Sequence, residues 1–305
     1  MSAFSVIVPT LNAASEWPAF SRALLACVEP KQILIVDSSS NDNTAELARQ
    51  AGFRVLEIAR SEFNHGGTRQ WAAEQVSDKV EFLVYLTQDA ILASPDAIAN
   101  ILAPFGDPQV AAVCGRQLPH IGAGPIESHA RLFNYPEHSS VRTLESRKTM
   151  GFKAIFISNS FAAYRRSALM AAGGFPTNVI FGEDTVLVAR LLLGGWKVAY
   201  AGDACVRHSH AYSIASEFKR YFDIGVLHHR ESWLLEEFGQ ASGEGKRFVL
   251  SELRYLLKRN PLLIPGALLR TGAKLAGYRL GRSESRLSVA TKRRLSMHHR
   301  FWQGE

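Results

Sequence analysis

The sequence predicts an α/β fold: a mostly parallel central sheet flanked by helices, followed by a helical C-terminal extension. Three observations predict it. Short β-branched runs alternate with helical spacings roughly every 25 residues through the first part of the chain, the rhythm of βαβ units. The polar clusters PTLN, DSSSND, FNHGG and TQDA lie at or soon after four successive strand ends, where parallel sheets bind their ligands. The basic surplus is confined to the end of the chain: residues 241–305 hold 14 Lys+Arg against 4 Asp+Glu, +10, while the remainder holds 21 against 24, −3.

Each element follows in order. Residues 4–8 (FSVIV) read as a buried strand ended by Pro9. Trp17, Phe20, Leu24 and Cys27 recur at helical spacing within residues 15–27. Residues 32–36 (QILIV) form a second buried strand, closed by the turn-rich DSSSNDNT. A helix over 44–51 stops at Gly52, and 54–59 is a third strand. Residues 67–76 read as helix, and 82–86 (FLVYL) as a fourth strand ending in TQDA. Farther on, 110–114 is a strand, and 119–150, rich in His, Gly, Pro and Arg, form a loop and helix over the site. Residues 156–164 and 197–201 are further strands with a helix over 185–193 between them. A helix over 213–238 carries Phe218, Tyr221, Phe222 and Val226. GQASGEG at 239–245 reads as a linker. It divides a catalytic-type domain, 1–238, from a basic, amphipathic helical region, 239–305.

Composition narrows the class. At 47% hydrophobic and 21% charged residues the chain has ordinary globular usage, which argues against a disordered or fibrous protein. Cys27, Cys114 and Cys205 are odd in number and form no CxxC pair. They read as reduced core cysteines of a cytosolic protein rather than a disulfide framework or thiolate zinc site. The N-terminal MSAFSVIVPT has no basic n-region, and no uncharged apolar run approaches the roughly 20 residues that span a bilayer.

Four motifs occur in order: VIVPTLN at 6–12, IVDSSSNDNT at 35–44, LTQDA at 86–90 and GEDTVLVARLLLGGW at 182–196. Together they resemble the family 2 inverting glycosyltransferases of the GT-A fold, over about residues 4–230. Within that family, FNHGGTR at 63–69 and GRQLP at 115–119 look most like bacterial rhamnosyltransferases that use dTDP-L-rhamnose.

The resemblance implies roles, each weighed against a plain structural reading. A carboxylate at Asp37 can accept a pyrimidine imide N–H, although an Asx-turn explains the residue equally well. The resemblance places Pro9, Thr10, Asn12 and Asp37, with Ser39 and Asp42 of the same turn, at the nucleotide. The family's two-acid metal motif is reduced here to Thr87-Gln88-Asp89. One carboxylate with phosphate oxygens and waters suits Mg²⁺, and Mn²⁺ is equally admissible. VRHSH at 206–210 adds a family-type histidine ligand, His208, with His210 in reserve. Acids at Glu183 and Asp184 suit a first helical turn. The resemblance makes Asp184 the general base that takes the acceptor hydroxyl proton, with Glu183 shaping the pocket or touching acceptor. Gly66 and Gly67 permit unusual φ and close backbone approach. Arg69 would meet the diphosphate or an acidic site residue. His65 would meet the donor sugar, Gln88 the donor, and Arg116 and Gln117 sugar or acceptor.

Val249, Leu250, Leu253, Leu256 and Leu257 form a helical stripe with Arg and Lys opposite. This suggests peripheral attachment to the cytoplasmic membrane surface; packing on the catalytic domain is the plainer reading. No nucleic-acid module is visible. The expected activity is transfer of L-rhamnose from dTDP-β-L-rhamnose to a lipid-linked glycan. Its rivals are the same fold with a UDP-hexose donor, a non-catalytic nucleotide-sugar-binding scaffold, and a basic adhesion module.

Overall fold

The structure, a computed structural model, describes residues 3–239 and 243–304. The first half runs β1 (Phe4–Thr10), α1 (Trp17–Leu25), β2 (Ile33–Asp37), α2 (Thr44–Gln50), β3 (Arg54–Glu57), α3 (His65–Glu74) and β4 (Phe82–Leu86). Then come β5 (Ile91–Leu92), α4 (Ala97–Leu102), β6 (Val110–Leu118), α5 (Pro125–Asn134), β7 (Ser140–Arg142), α6 (Arg147–Met150), β8 (Phe161–Arg165) and α7 (Arg166–Ala171). The last part holds α8 (Glu183–Leu193), β9 (Lys197–Arg207), α9 (Ile214–Arg230), α10 (Ser232–Phe238), α11 (Glu244–Arg259), α12 (Ile264–Arg282), α13 (Val289–Leu295) and a closing 3₁₀ turn, His299–Gly304.

One sheet carries the strand order β3-β2-β1-β4-β8-β6-β9-β5, with β7 on β9. The strands β3, β2, β1 and β4 are parallel, as the alternating sequence pattern requires. Strand β8 is antiparallel to both β4 and β6, and β6 and β9 are again parallel. Successive side chains point to opposite faces of a strand. Ile7 therefore enters the core on one face with Tyr85 and Val186, while Val6 and Val8 enter the other with Trp17, Phe20 and Val84. Both faces are covered, which is why these strands read as continuous apolar runs.

Several expected boundaries move. Strand β1 continues through Pro9 to Thr10 rather than ending there. Its pairing with β4 stops at Ile7, so one side of Pro9 has no ladder for a missing N–H to interrupt. Residues 156–160 are not strand; β8 begins at Phe161. The helix expected from 67 starts at His65. The helix expected over 213–238 breaks at Glu231, whose ψ of 50° is not helical. Of the expected linker, residues 240–242 lie outside the described residues, and Glu244 already begins α11.

The chain after the linker packs on the domain before it. Helices α9 and α12 meet along Gly225, Gly277 and Gly281. A Cβ at Gly281 would stand 2.0 Å from Phe222 O, and one at Gly277 2.3 Å from Phe218 O, so only glycine admits this approach. Trp302 is fully buried in the core that includes Ile7 and Val186. Arg300 donates to Arg60 O at 2.6 Å.

Candidate active site

The loops after β1 and β2 knit into one wall. Buried Asp37 accepts from Thr10 Oγ1 at 3.0 Å, Ser40 N at 2.8 Å and Ser40 Oγ at 2.6 Å. Asn12 N donates to Ser40 Oγ at 2.8 Å, and Asn12 Oδ1 accepts from Asn41 N at 2.8 Å. Asn12 and Ser39 hold φ of 52° and 56°, strain of the kind that collects at binding sites. Ser39 Oγ is spent on Ile58 O at 2.8 Å, and Asp42 on Ala14 N and Thr44 N. Of the residues expected at the nucleotide, Thr10, Asn12 and Asp37 share one network through Ser40, a residue the sequence reading missed.

Gln88 does not point to a ligand. Its Oε1 accepts from Leu11 N at 2.7 Å and its Nε2 donates to Leu11 O at 3.0 Å, tying β4's end to β1's. Arg116 is likewise held, by Tyr135 O at 3.3 Å and Glu137 at 3.0 Å.

Gln117, the next residue on β6 and on the opposite face, is central instead. Its Oε1 accepts from His208 Nδ1 at 2.9 Å and from Arg131 Nη1 at 2.9 Å. Arginine is donor-only, so this oxygen is fixed as the acceptor and His208 Nδ1 as a donor to it. His208 Nε2 faces Asp89 Oδ2 at 3.3 Å, and His210 Nε2 lies 3.4 Å from the same oxygen. Burial first, and then the neighbouring His208, push His210 down to about 4, which leaves its imidazole neutral. Burial acts to raise the Asp89 carboxyl, but His208 outweighs it and holds Asp89 low. Three lone-pair donors within 4.8 Å of one another make a group that could hold a metal ion. His210, held in reserve by the sequence reading, belongs to it beside Asp89 and His208.

The loop before β8 connects this group to the second acidic cluster. Ser158 Oγ bonds Gln117 Nε2 at 3.0 Å. Asn159 N donates to Asp184 Oδ2 at 3.0 Å, and Asn159 Nδ2 donates to Glu183 Oε1 at 2.9 Å. Asp184 Oδ1 also accepts from Thr185 N at 2.7 Å. Burial first, and then the charge of Glu183, push the Asp184 carboxyl up to about 7 despite these bonds. Burial works against the Glu183 carboxylate as well, but Arg69, His65 and Asn159 outweigh it and hold Glu183 ionised. Asp184 is thus a proton acceptor poised near neutrality, and Glu183 a fixed charge beside it. Asn159 was hidden in what reads as strand. The polar SNS interrupting FISNSFAAY was the available signal.

The FNHGGTR stretch supplies Glu183's partner. Arg69 Nη1 lies 3.0 Å from Glu183 Oε1, both buried. Asn64 caps α3, its Oδ1 accepting from Gly67 N at 2.8 Å. Neither Gly66 nor Gly67 holds a positive φ, which corrects the expectation of unusual backbone geometry. A Cβ at Gly66 would lie 1.8 Å from Pro176 O and 3.3 Å from Glu183 Cβ. The close approach is therefore to the protein's own backbone. His65 is half-buried, edge-on to Phe63 at 5.1 Å and to His298 of the C-terminal segment at 4.9 Å. Sequence reasoning gave no sign that His298 would be there.

The chain is 46% identical to the O-antigen chain rhamnosyltransferase WbaN of Salmonella anatum, over 99% of this chain and 96% of the relative. It is equally 46% identical to RfbN of Salmonella typhimurium, over 98% and 95%. Among solved structures, the mannosyltransferase PcManGT of Pyrobaculum calidifontis, in complex with GDP-Man and Mn²⁺, superposes with a TM-score of 0.60 at 20% identity, covering 99% of this chain and 88% of that one. That likeness extends the GT-A architecture through the C-terminal helices. The sequence profile of glycosyl transferase family 2 matches residues 5–173. The chain belongs to glycosyl transferase family 2 and is a glycosyltransferase.

Proposed function

We propose that this glycosyltransferase inverts the anomeric centre, moving L-rhamnose from dTDP-β-L-rhamnose to a hydroxyl of a lipid-linked glycan in O-antigen assembly. The observation that carries it is the short relay Asp184–Asn159, Ser158–Gln117–His208–Asp89. It sets one carboxylate of raised proton affinity beside one metal-type group, and inversion needs a single base. Asp184 takes the acceptor hydroxyl proton while that oxygen attacks the anomeric carbon on the face opposite the leaving diphosphate. Thr185 N and Oγ1 both donate to Asp184 Oδ1, while Asn159 N takes one lone pair of Oδ2 and leaves its other for the substrate. Glu183, fixed by Arg69, keeps Asp184 basic without itself entering the chemistry. Asp37, Thr10 and Asn12 receive the nucleotide, with Pro9 in the wall, and His65 and Arg69 border the donor sugar.

Asp89, His208 and His210 fit a divalent cation, because one carboxylate oxygen and two imidazole nitrogens converge within 4.8 Å of one another. A carboxylate with two imidazoles favours Mn²⁺, with Mg²⁺ the alternative. Bound there, the ion would neutralise charge on the departing nucleoside diphosphate. The similarity to rhamnosyltransferases along nearly the whole chain supports the sugar.

Among the described residues no helix is long and apolar enough to cross a membrane. Around the α11–α12 turn, however, Leu262 is 88% and Leu269 61% exposed, with the exposed cations Arg254, Lys258 and Arg259 close by in sequence. We assign this end to peripheral contact with the anionic inner face of the cell membrane. A donor panel of dTDP-L-rhamnose and UDP-hexoses with extracted lipid-linked acceptors tests the reading. Transfer from a UDP-hexose but not dTDP-rhamnose overturns the donor, and normal turnover by Asp184→Asn overturns the base.

A further inference from the structure

The C-terminal segment from Ser296 onward lies against the active site and is fastened at three points. Asp223 of α9 accepts from Met297 N at 2.8 Å and from His298 N at 3.4 Å. Arg300 donates to Arg60 O at 2.6 Å, in the loop that leads into FNHGGTR. Trp302 is fully buried, with the Arg230 and Lys292 cations each 4.9 Å from its ring centre. Between these fastenings sits His298. Its ring stacks on Phe181 at 5.7 Å and an interplanar angle of 15°, and stands edge-on to His65 at 4.9 Å and 89°. Phe181 immediately precedes Gly182, whose φ of 75° opens α8 and with it Glu183 and Asp184. His65 begins α3, one turn before Arg69. His298 thus joins the two segments that supply the Arg69–Glu183 pair. Arg69 Nη1 also donates to the His65 carbonyl at 2.9 Å, but among the described residues the His65 ring itself makes no hydrogen bond. Ring edges hold it instead, from Phe63 at 5.1 Å and from His298. Burial first pushes both histidines down, His298 to about 3, so both rings are neutral.

We propose that His298 is a positioning residue for the donor sugar: it sets the His65 ring, so that the end of the chain takes part in sugar recognition. The proposal rests on the placement of His65 beside the donor sugar. An offset stack and an edge-on contact are the arrangements aromatic rings prefer. Together they fix the plane of His298, and with it the plane that His65 can take, while the nitrogens of His65 stay available to a sugar hydroxyl. The fastenings at Asp223, Arg60 and Trp302 hold the backbone on both sides of His298, which a residue needs if it is to orient another. The same loop is tied from the other side, where Asn64 Nδ2 donates to Thr177 O at 3.0 Å. Phe63, Asn64 and His65 therefore stand between the Thr177–Phe181 stretch and the C-terminal segment, and His298 is the part of that segment that reaches both His65 and Phe181.

Calorimetry on the full chain with Mn²⁺ compares each nucleotide sugar, dTDP-L-rhamnose or a UDP-hexose, with its own nucleoside diphosphate. The sugar's share of the affinity is then read whichever donor the protein takes. His298→Ala is expected to bind the nucleotide sugar about three- to tenfold more weakly, the range an aromatic pair contributes, and the bare diphosphate as wild type does. His65→Ala should show a loss of the same kind. The double variant should lose no more than the weaker-binding single one, because residues acting through one contact are not additive. His298→Phe, which keeps a ring edge, should recover wild-type binding. If His298→Ala does not melt cooperatively, His298→Leu, which keeps bulk without a ring, replaces it with the same expected direction. Losses that multiply in the double variant, an equal loss for the bare diphosphate, no recovery in His298→Phe, or wild-type binding by His298→Ala overturns the proposal. Wild-type binding by His65→Ala overturns the placement of His65 and the proposal together. Binding of a UDP-hexose in place of dTDP-rhamnose overturns the donor assignment alone.

Discussion

Arg69 Nη1 and Glu183 Oε1 stand 3.0 Å apart with both side chains shut off from water. Breaking such a pair from one side leaves an uncompensated buried charge and costs about 3–5 kcal/mol. Arg69→Met is expected to lose stability on that scale in denaturant titration. Arg69→Met combined with Glu183→Gln should recover most of it, because a glutamine Oε1 still accepts from Asn159. Equal losses in the single and double variants would mean the pair contributes through packing alone.

Transfer should fall on the acid side of neutrality. A general base works ionised, and Asp184 is pushed up to about 7 by burial and then by Glu183, so kcat/KM declines as pH drops through about 7. Glu183→Gln removes the negative neighbour, stabilises ionised Asp184 and moves that limb to lower pH. The same shift acts on stability with a definite sign: the folded state holds a proton that an unfolded aspartate, near pKa 3.9, has released. Asp184's contribution is therefore favourable at low pH and is lost as pH rises through about 7. Asp184→Asn should reduce turnover by about 10²–10⁴-fold above pH 7, where wild-type Asp184 is ionised, and by less as pH falls.

Gln117 should matter through His208 rather than through substrate. Partners of metal-bound histidines typically contribute 10–100-fold in metal affinity. Gln117→Leu removes the acceptor for both His208 Nδ1 and Arg131, and a loss of that size is expected in Mn²⁺ titrations. Gln117→Glu keeps the acceptor and should bind Mn²⁺ more tightly than Gln117→Leu. A Gln117→Leu variant with unchanged Mn²⁺ affinity but raised acceptor KM would instead make Gln117 a substrate contact.

The first four strands were legible because residues such as Val6, Ile7 and Val8 are buried on both sheet faces, and such strands cannot hide. Asp184 and Asp89 could be named from motif order alone. Their connection could not be. It runs through Asn159 and Gln117, whose neighbours in the chain are ordinary and whose links to Glu183 and His208 span 24 and 91 positions. The meaning of Gly66 was invisible for the same reason, since the atom that forbids a side chain there belongs to Pro176. His298 is the extreme case: a histidine in a basic tail that the fold returns to His65.

The two glycines of FNHGGTR should respond oppositely to alanine. At Gly67 an added Cβ meets Asn64 and Thr177 at 3.4–3.5 Å, ordinary contact, and alanine favours helix over glycine by up to about 1 kcal/mol. Gly67→Ala should fold as well as wild type. At Gly66 the Cβ would overlap Pro176 O at 1.8 Å. The start of α3 must then move, with a loss beyond the usual overpacking cost of about 1–3 kcal/mol and with transfer impaired through His65 and Arg69. Thermal melts of the two variants side by side decide it.

Cutting the chain after residue 238 tests whether the sequence linker is a domain boundary. The expected outcome is a fragment that fails to fold cooperatively. Helix α9 would lose its seam with α12, where Gly225 and Gly281 bring the backbones together. The core would lose fully buried Trp302, and Asp223 would lose the Met297 N–H that donates to it at 2.8 Å. Each large apolar side chain uncovered or removed costs about 1.5–3 kcal/mol, and a whole domain is stable by only about 5–15 kcal/mol, so a few such losses suffice. Gly277→Val is the milder companion: its side chain would press on Phe218 O, part α12 from α9 and lower the melting temperature without removing any residue. A fragment 1–238 that melted in one transition at the wild-type temperature would instead make α11–α13 an independent module, and His298 a visitor to the site rather than part of its wall.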